Sequence, residues 1–202
     1  MYKNLRLSIE RKISLTDDEW NLIVEKTEFI KLKKNEFLQI QNSNSSYECF
    51  ILKGAFRFYF VKDGIEISNY FCFQNELISS YRSFLKRTPS VINIEAMENA
   101  ELICFSYHSL QTLLANEKTA FKMERFGRTI AEYLICCYEE RVFSFVTQTP
   151  EERYLQLVEQ EADLLQKIPQ HYLANYLGIT PVSLSRIRKR IVESRSKQKL
   201  AS

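Results

Sequence analysis

The chain has 202 residues, 45% of them hydrophobic and 26% charged, with only 4 Gly and 4 Pro, which excludes a collagen-like, linker-like or disordered polymer and leaves one large globular domain or two small ones. Its 28 Lys+Arg against 25 Asp+Glu give a net charge of +3, too small a surplus to name a polyanionic partner by its total. The N-terminal residues alternate charged and apolar side chains instead of building an export signal, and no later run approaches the ~18 apolar residues of a bilayer span, so a cytoplasmic protein with no membrane partner is expected.

In chain order, Thr16 followed three residues later by Glu19 reads as a capping box, with a short helix to about Glu28. Over residues 37–105 the pattern turns to β. Phe56, Phe58 and Phe60 alternate with Arg57, Tyr59 and Val61, and a second alternating run starts at Ile65. Asp63-Gly64 between the two runs supplies the positive φ values of a tight hairpin, which predicts antiparallel pairing. Further strand-like runs at 48–52, 92–97 and 102–107 suggest a small antiparallel barrel or sandwich.

After Ser109 the period changes. Phe126, Ile130, Leu134, Tyr138, Val142 and Phe145 recur at three and four residues, so a helix is predicted over 116–145. A helix of about 28 residues extends ~42 Å, more than a small barrel covers. One face is read as packing on the barrel and the other as a homodimer seam at Ile130, Leu134 and Tyr138, the alternative being a fully internal core helix. The five cysteines, Cys49, Cys72, Cys104, Cys136 and Cys137, show no C-x-x-C spacing and are expected to be reduced core thiols.

Thr149 and Pro150 mark a new helix start and a second, helical domain. Within it, residues 168–190 fit two helices around a tight turn. Ala174 is small where two axes cross, Gly178 can take the left-handed conformation that ends the first helix, and Ile179 can plug the corner. Thr180 caps the second helix and Pro181 begins it. Leu184, Ile187 and Ile191 share an inward face. The opposite face carries Val182, Ser185, Arg186 and Lys189, flanked by Ser183 and Arg190, a set of apolar, hydroxyl and guanidinium groups suited to a DNA major groove. Over residues 181–202 seven basic side chains stand against the single acid Glu193, so the charge surplus is concentrated here. The residues after Val192, with Arg195, Lys197 and Lys199, read as a basic tail that adds phosphate contacts.

This order, and the segments Ile51-Leu52-Lys53-Gly54-Ala55-Phe56-Arg57-Phe58-Tyr59, Tyr172-Leu173-Ala174-Asn175-Tyr176-Leu177-Gly178-Ile179 and Thr180-Pro181-Val182-Ser183-Leu184-Ser185-Arg186-Ile187-Arg188, resemble the CRP/FNR family of bacterial transcription regulators in a Bacteroidetes-type style. The resemblance implies an α+β protein. Residues 1–115 would form an antiparallel β jelly roll of the cyclic-nucleotide-binding type and 116–146 a long dimerisation helix. Residues 147–202 would form a helix-turn-helix domain, with its C-terminal wing reduced or absent. The implied partners are double-stranded DNA and a second copy of the chain, with RNA polymerase as a further expected partner and an effector of unknown identity. DNA contacts would fall on Thr180, Val182, Ser183, Ser185, Arg186, Lys189 and Arg190.

The chain also departs from the family. Where members that bind cyclic AMP have Gly-Glu and Arg-Ser pairs, this chain has Asn75-Glu76 and Pro89-Ser90, so the phosphate arginine is missing. Glu76, Arg82 and Ser90 are the candidate effector-pocket residues, in a pocket expected not to take cyclic AMP. No cysteine precedes Cys49 and only His108 and His171 are present, so neither a metal nor any other cofactor is expected. A nucleophile elbow, a P-loop, H-E-x-x-H and a dinucleotide fingerprint are all absent, and an enzyme is not expected. The leading expectation is a DNA-binding regulator whose β domain senses a small molecule or acts only as a scaffold. The alternative is a small-molecule-binding or protein-interaction module without DNA binding.

Overall fold

The computed structural model describes residues 1–200, with side chains described at all of them except 160–164 and 194–200. The elements run α1 (Lys3–Glu10), α2 (Asp17–Glu25), β1 (Thr27–Leu32), β2 (Phe37–Gln39), β3 (Tyr47–Lys53), β4 (Phe56–Lys62), β5 (Ile65–Cys72), β6 (Leu77–Ile78), α3 (Tyr81–Lys86), β7 (Asn93–Ala96) and β8 (Ala100–Ser106). They continue with α4 (Tyr107–Ala115), α5 (Ala120–Thr147), α6 (Pro150–Leu165), α7 (Gln170–Tyr176) and α8 (Pro181–Leu200). The chain divides into two compact units, Met1–Cys136 and Cys137–Ser202, with the boundary inside α5.

In the first unit the strands form two four-stranded antiparallel sheets, ordered β1-β8-β3-β6 and β2-β7-β4-β5. The expected hairpin is present. Lys62 pairs with Ile65, leaving a two-residue turn at Asp63 (φ 52°) and Gly64 (φ 77°), both left-handed as a primed turn requires. The inner faces meet over Ile51, Phe56, Phe58, Ile94, Leu102 and their neighbours. The outer face of the first sheet, with Phe50, Ile103 and Phe105, is covered by α1, α2, α4 and the start of α5 through Leu5, Ile9, Trp20, Ile23, Leu113 and Met123. The Thr16 capping box forms as expected: Glu19 N–H donates to Thr16 Oγ1 at 3.3 Å, and Thr16 N–H donates to Glu19 Oε2 at 2.7 Å. Glu19 also receives Lys122 Nζ at 2.6 Å, which ties α2 to α5, and that ammonium, more than the Thr16 amide, holds the carboxyl below its ordinary range.

Three expectations are corrected. Cys49 and Cys104 are not free thiols but a disulfide, because β3 and β8 are adjacent and place the two residues directly opposite each other. Fifty-five residues separate them in sequence, so no local spacing announces the pair. The ladder sets that pairing, so reduction of the bond leaves the two sulfurs facing each other in the same core layer. Of the remaining three, Cys72 is a buried thiol whose titration is pushed well up by burial, whereas Cys136 is exposed and Cys137 half-buried, so neither is a core thiol. Finally, α8 does not stop near Val192 in a tail but continues as helix to Leu200. The residues from Ser194 onward carry no Pro or Gly to end it.

Gly54, between β3 and β4, has φ +115°, and a Cβ there would stand 2.6 Å from Ala100 Cβ and 3.0 Å from Ala100 Cα. Backbone on the far side cannot yield as a flexible side chain would. Gly54→Ala is therefore expected to lower the free energy of unfolding by about 2–4 kcal/mol, read from urea denaturation. An unchanged midpoint would show that the two sheets can separate at this corner without cost.

Candidate nucleic-acid interface

In the second unit α6 begins as the sequence indicates. Glu152 N–H donates to Thr149 Oγ1 at 3.3 Å, and the Thr149 amide and hydroxyl donate to Glu152 Oε2 at 2.7 and 2.8 Å, which lowers the Glu152 carboxyl below its ordinary value. The next start is that of α8. At the end of α7, Gly178 takes φ +74°; its N–H donates to Asn175 O at 3.0 Å and Ile179 N–H donates to Ala174 O at 2.9 Å. These are the paired bonds of a Schellman motif, and only a residue without a Cβ takes that φ freely. Thr180 then caps α8, accepting from Ser183 N–H at 3.1 Å, and Leu184 N–H closes the first turn on Thr180 O at 3.0 Å.

The turn fixes which face of α8 is hidden. Ala174, Leu177 and Leu184 are 0–1% exposed and Ile187 5%, forming the seam on which α7 and α8 cross, with Ile179 and Ile191 half-buried at its ends. The face half a turn away carries Val182 at 59% exposure with Ser185, Arg186 and Lys189, all exposed. Not every residue expected to contact DNA is equally available. Ser183 is half-buried, with its hydroxyl 3.0 Å from that of Thr180 inside the cap. Arg190 Nη2 meets Glu151 Oε2 of α6 at 2.5 Å, and Lys189 lies 3.8 Å from Glu193. Both pairs are solvent-exposed and of the kind worth ~0–1 kcal/mol, so a phosphate displaces the acid at little cost. The side chains of Arg195, Lys197 and Lys199 lie outside the described residues.

Two arginines overlooked in the sequence hold this turn in place. Arg141, on α5, donates from Nη2 to Tyr176 O at 2.8 Å and stacks 3.5 Å above the Tyr176 ring. Arg153, on α6, donates from Nη2 to Leu177 O at 3.0 Å and from Nη1 to Gln148 O at 2.6 Å. Both guanidiniums also face the Phe145 ring, at 4.7 and 4.5 Å, and that ring lies 3.4 Å from where a Cβ on Gly178 would stand. Cations thus sit on the carbonyl end of α7, the favourable end of its dipole. Clusters of arginine and aromatic side chains are the available sequence signal, but their meeting requires the helices to be assembled.

The candidate effector residues of the first unit do not converge in the same way. Glu76 is exposed and its Oε2 accepts from Phe73 N–H at 2.8 Å within its own turn. Ser90 is buried and its hydroxyl pairs with that of Ser80 at 2.8 Å and with the backbone of Ile92. Arg82 is exposed on α3, while Pro89 bridges to Asn44. Arg87 donates to Ser45 O at 2.7 Å and lies over the Tyr107 ring at 4.5 Å. A buried arginine, Arg57, faces away from the inner layer formed by Phe56 and Phe58, and is bound by Glu66 at 2.5 Å, Glu95 at 3.3 Å and the Tyr59 ring at 3.9 Å. Among the described residues no cluster of three or more His, Cys, Asp or Glu is placed to hold a metal ion, and no helix is long and apolar enough to cross a membrane.

No profile of a known protein family matches the chain, and no curated protein matches it by sequence. Solved structures do match its fold. The c-di-GMP-responsive global regulator CLP of Xanthomonas campestris superposes with a TM-score of 0.70 at 10% identity, covering 89% of this chain and 93% of that one. A mutant of CooA from Carboxydothermus hydrogenoformans gives 0.68 at 14% identity, covering 91% and 88%. The catabolite activator protein of Thermus thermophilus gives 0.55 at 17%, covering 90% and 86%. The chain shares its fold with these regulators. They are CRP/FNR-family proteins, and the likeness covers both units.

The clamp on the turn gives a direct test. Arg153→Ala removes charged donors from three carbonyls at two helix ends and is expected to lower unfolding free energy by about 1–3 kcal/mol. It should also speed amide exchange over residues 170–184, read by mass spectrometry. Wild-type exchange in that segment would show that Gly178 and the Thr180 cap hold the turn unaided.

Proposed function

We propose that this chain is a homodimeric, sequence-specific, cytoplasmic DNA-binding transcription regulator of the CRP/FNR type, in the Bacteroidetes style, and not an enzyme. The observation that carries the reading is the capped helix α8, whose buried Leu184 and Ile187 leave Val182, Ser185, Arg186 and Lys189 facing solvent behind a Schellman turn. The strand order of the two sheets supports a jelly-roll reading of residues 1–115, with 116–146 as the dimerisation segment and 147–202 as the helix-turn-helix domain. A reduced or absent C-terminal wing belongs to the same reading. RNA polymerase is a further partner of this reading.

In this reading the effector pocket is degenerate and cyclic AMP is not its ligand. Pro89 has no guanidinium to fork onto a phosphate, Glu76 is turned to its own backbone, and the buried Arg57 is committed to two carboxylates. The nearby Arg87 is engaged with a backbone carbonyl.

DNA readout follows from the geometry of α8. Arg186 lies at the centre of the exposed face and is the base reader, forking onto guanine O6 and N7, while Val182 meets a thymine methyl. Thr180, Ser183, Ser185, Lys189 and Arg190 serve phosphates and flanking bases. In a dimer the two helices enter successive major grooves ~34 Å apart, so the operator is an inverted repeat with half-sites about one turn apart. On the operator recovered by genome-wide footprinting, Arg186→Ala should cost about 1–3 kcal/mol and relax preference at one position per half-site, whereas Lys189→Ala should weaken all sequences alike and flatten the salt slope. Unchanged affinity and preference in Arg186→Ala would remove α8 as the reader, and no specific binding at all would leave a module that acts without DNA.

The dimer seam is proposed on α5, at Ile130, Leu134 and Tyr138. Ile130 and Leu134 are half-buried, while Tyr138 at 57% exposure continues into Ile135, Val142 and Val146 at 59%, 63% and 79%, a stripe at helical spacing. Leu134→Asp is expected to give monomers in sedimentation velocity at micromolar concentration, with the wild type sedimenting as a dimer. A wild-type profile of monomers alone would refute the seam.

A further inference from the structure

Between the outer face of the β1-β8-β3-β6 sheet and its helices lies a cavity of about 510 Å³, inside the 300–1,000 Å³ range of small-molecule sites. Its walls come from the first unit alone, and Ile9, Leu77, Tyr81, Phe105, Leu114 and Phe126 make them mostly apolar and partly aromatic. Neither Glu76, Arg82 nor Ser90 lines it. One side chain breaks the pattern. On β3, Cys49 and Ile51 face the inter-sheet core, so Glu48 faces the helices alongside Phe50, opposite Phe105 of β8.

A carboxyl at such a position is costly unless paired. Among the described residues the Glu48 carboxyl has no hydrogen bond and no ion pair, and part of the residue's surface opens to the cavity it lines. Burial alone pushes its carboxyl up to about 7. The other ionisable groups facing the cavity are Tyr81 on α3, raised by its own burial and then by Glu48, and the exposed Glu124, Arg125 and Arg128 on α5. The three on α5 are open to solvent, where salt screens them, whereas the wall at Glu48 offers one acceptor and no cation.

We propose that this cavity binds an apolar organic cation, a molecule with an aliphatic or aromatic body whose protonated amine pairs with the Glu48 carboxylate. The apolar walls take the body by burial of surface, and the charge pair, sheltered from water, sets the specificity. The inference does not rest on DNA binding, and its test contains no DNA, so the two readings fail separately. Because α5 supplies both cavity wall and the proposed dimer seam, a ligand here would act on the helix that joins the protomers.

The test is calorimetric titration of the full chain with n-decylamine below its micellar concentration, with decan-1-ol, decanoate and cyclic AMP as comparison probes. The expected result is one decylamine per chain, bound at least tenfold more tightly than decanol or decanoate, with no heat from cyclic AMP. Glu48→Gln should weaken decylamine at least tenfold and leave decanol within threefold, and Leu114→Trp, which fills the space, should abolish both. The amine keeps its proton from pH 6 to pH 8 while Glu48 loses its own, so wild-type affinity should rise over that interval and the Gln variant should be flat. Equal binding to wild type and Glu48→Gln, a preference for decanoate, or a pH dependence that survives in the Gln variant would overturn the proposal. So would binding that appears only after dilution to monomers, since a second copy would then be the occupant.

Discussion

Along β8 the consecutive side chains Leu102, Ile103, Cys104 and Phe105 are all buried, which a strand achieves only when both faces of its sheet are covered. Much of the first unit follows from that constraint. Leu102 and Cys104 are covered by the second sheet, and Ile103 and Phe105 by α1, α2, α4 and the start of α5. Each large apolar side chain so buried contributes about 1.5–3 kcal/mol, so a helix that left the outer face would expose several such contributions at once. The Glu19–Lys122 pair between α2 and α5, and the aromatic contact of Tyr2 with Trp20, then fix how the covering helices lie against one another.

The second unit has less apolar surface to work with and relies more on backbone chemistry. α7 is a helix of seven residues, too short to hold its own shape in water. Its stability comes from the seam with α8, from the Schellman bonds at Gly178, and from two guanidiniums on the carbonyls of Tyr176 and Leu177. Because the buried positions of α8 are set by that seam, the orientation of Arg186 and Lys189 is decided by residues that never reach the solvent face. The exposed side chains of α8 can therefore vary without moving the helix, because others fix it.

What was legible in the sequence was local. Thr16, Thr149 and Thr180 each mark a helix start by a bond spanning three residues, Asp63-Gly64 marks a hairpin, and Gly178 marks a turn, and all of these act within one helical turn or one hairpin. Long-range pairings left no such trace. The Cys49–Cys104 bond depends on a ladder between strands, β1 became a strand only by pairing with β8, and the Arg141 and Arg153 clamp needs three helices in place. The helix α1 was missed for a related reason. Leu5 and Ile9 give it only a short apolar stripe, which becomes a signal only when a sheet is there to receive it. The end of α8 was misread because a polar, basic composition resembles a solvated tail, although nothing in it breaks a helix.

Arg57 and Glu48 show why satisfaction, and not burial alone, separates scaffold from site. Arg57 is almost wholly enclosed, yet Glu66 and Glu95 neutralise its charge at Nη2 and the Tyr59 ring stacks on it, so the charge is offset inside the fold. Glu48 lies on the other sheet, opposite Phe105 in a cavity wall shared with Leu77 and Ile9, and the ionisable neighbour that feels its charge is Tyr81, which supplies no cation. A Leu or Phe at this position would close the layer as Phe50 and Ile103 do two steps along. Beside Phe105 the covering of this face therefore stops at Glu48, where covering the side chain well would require a cation.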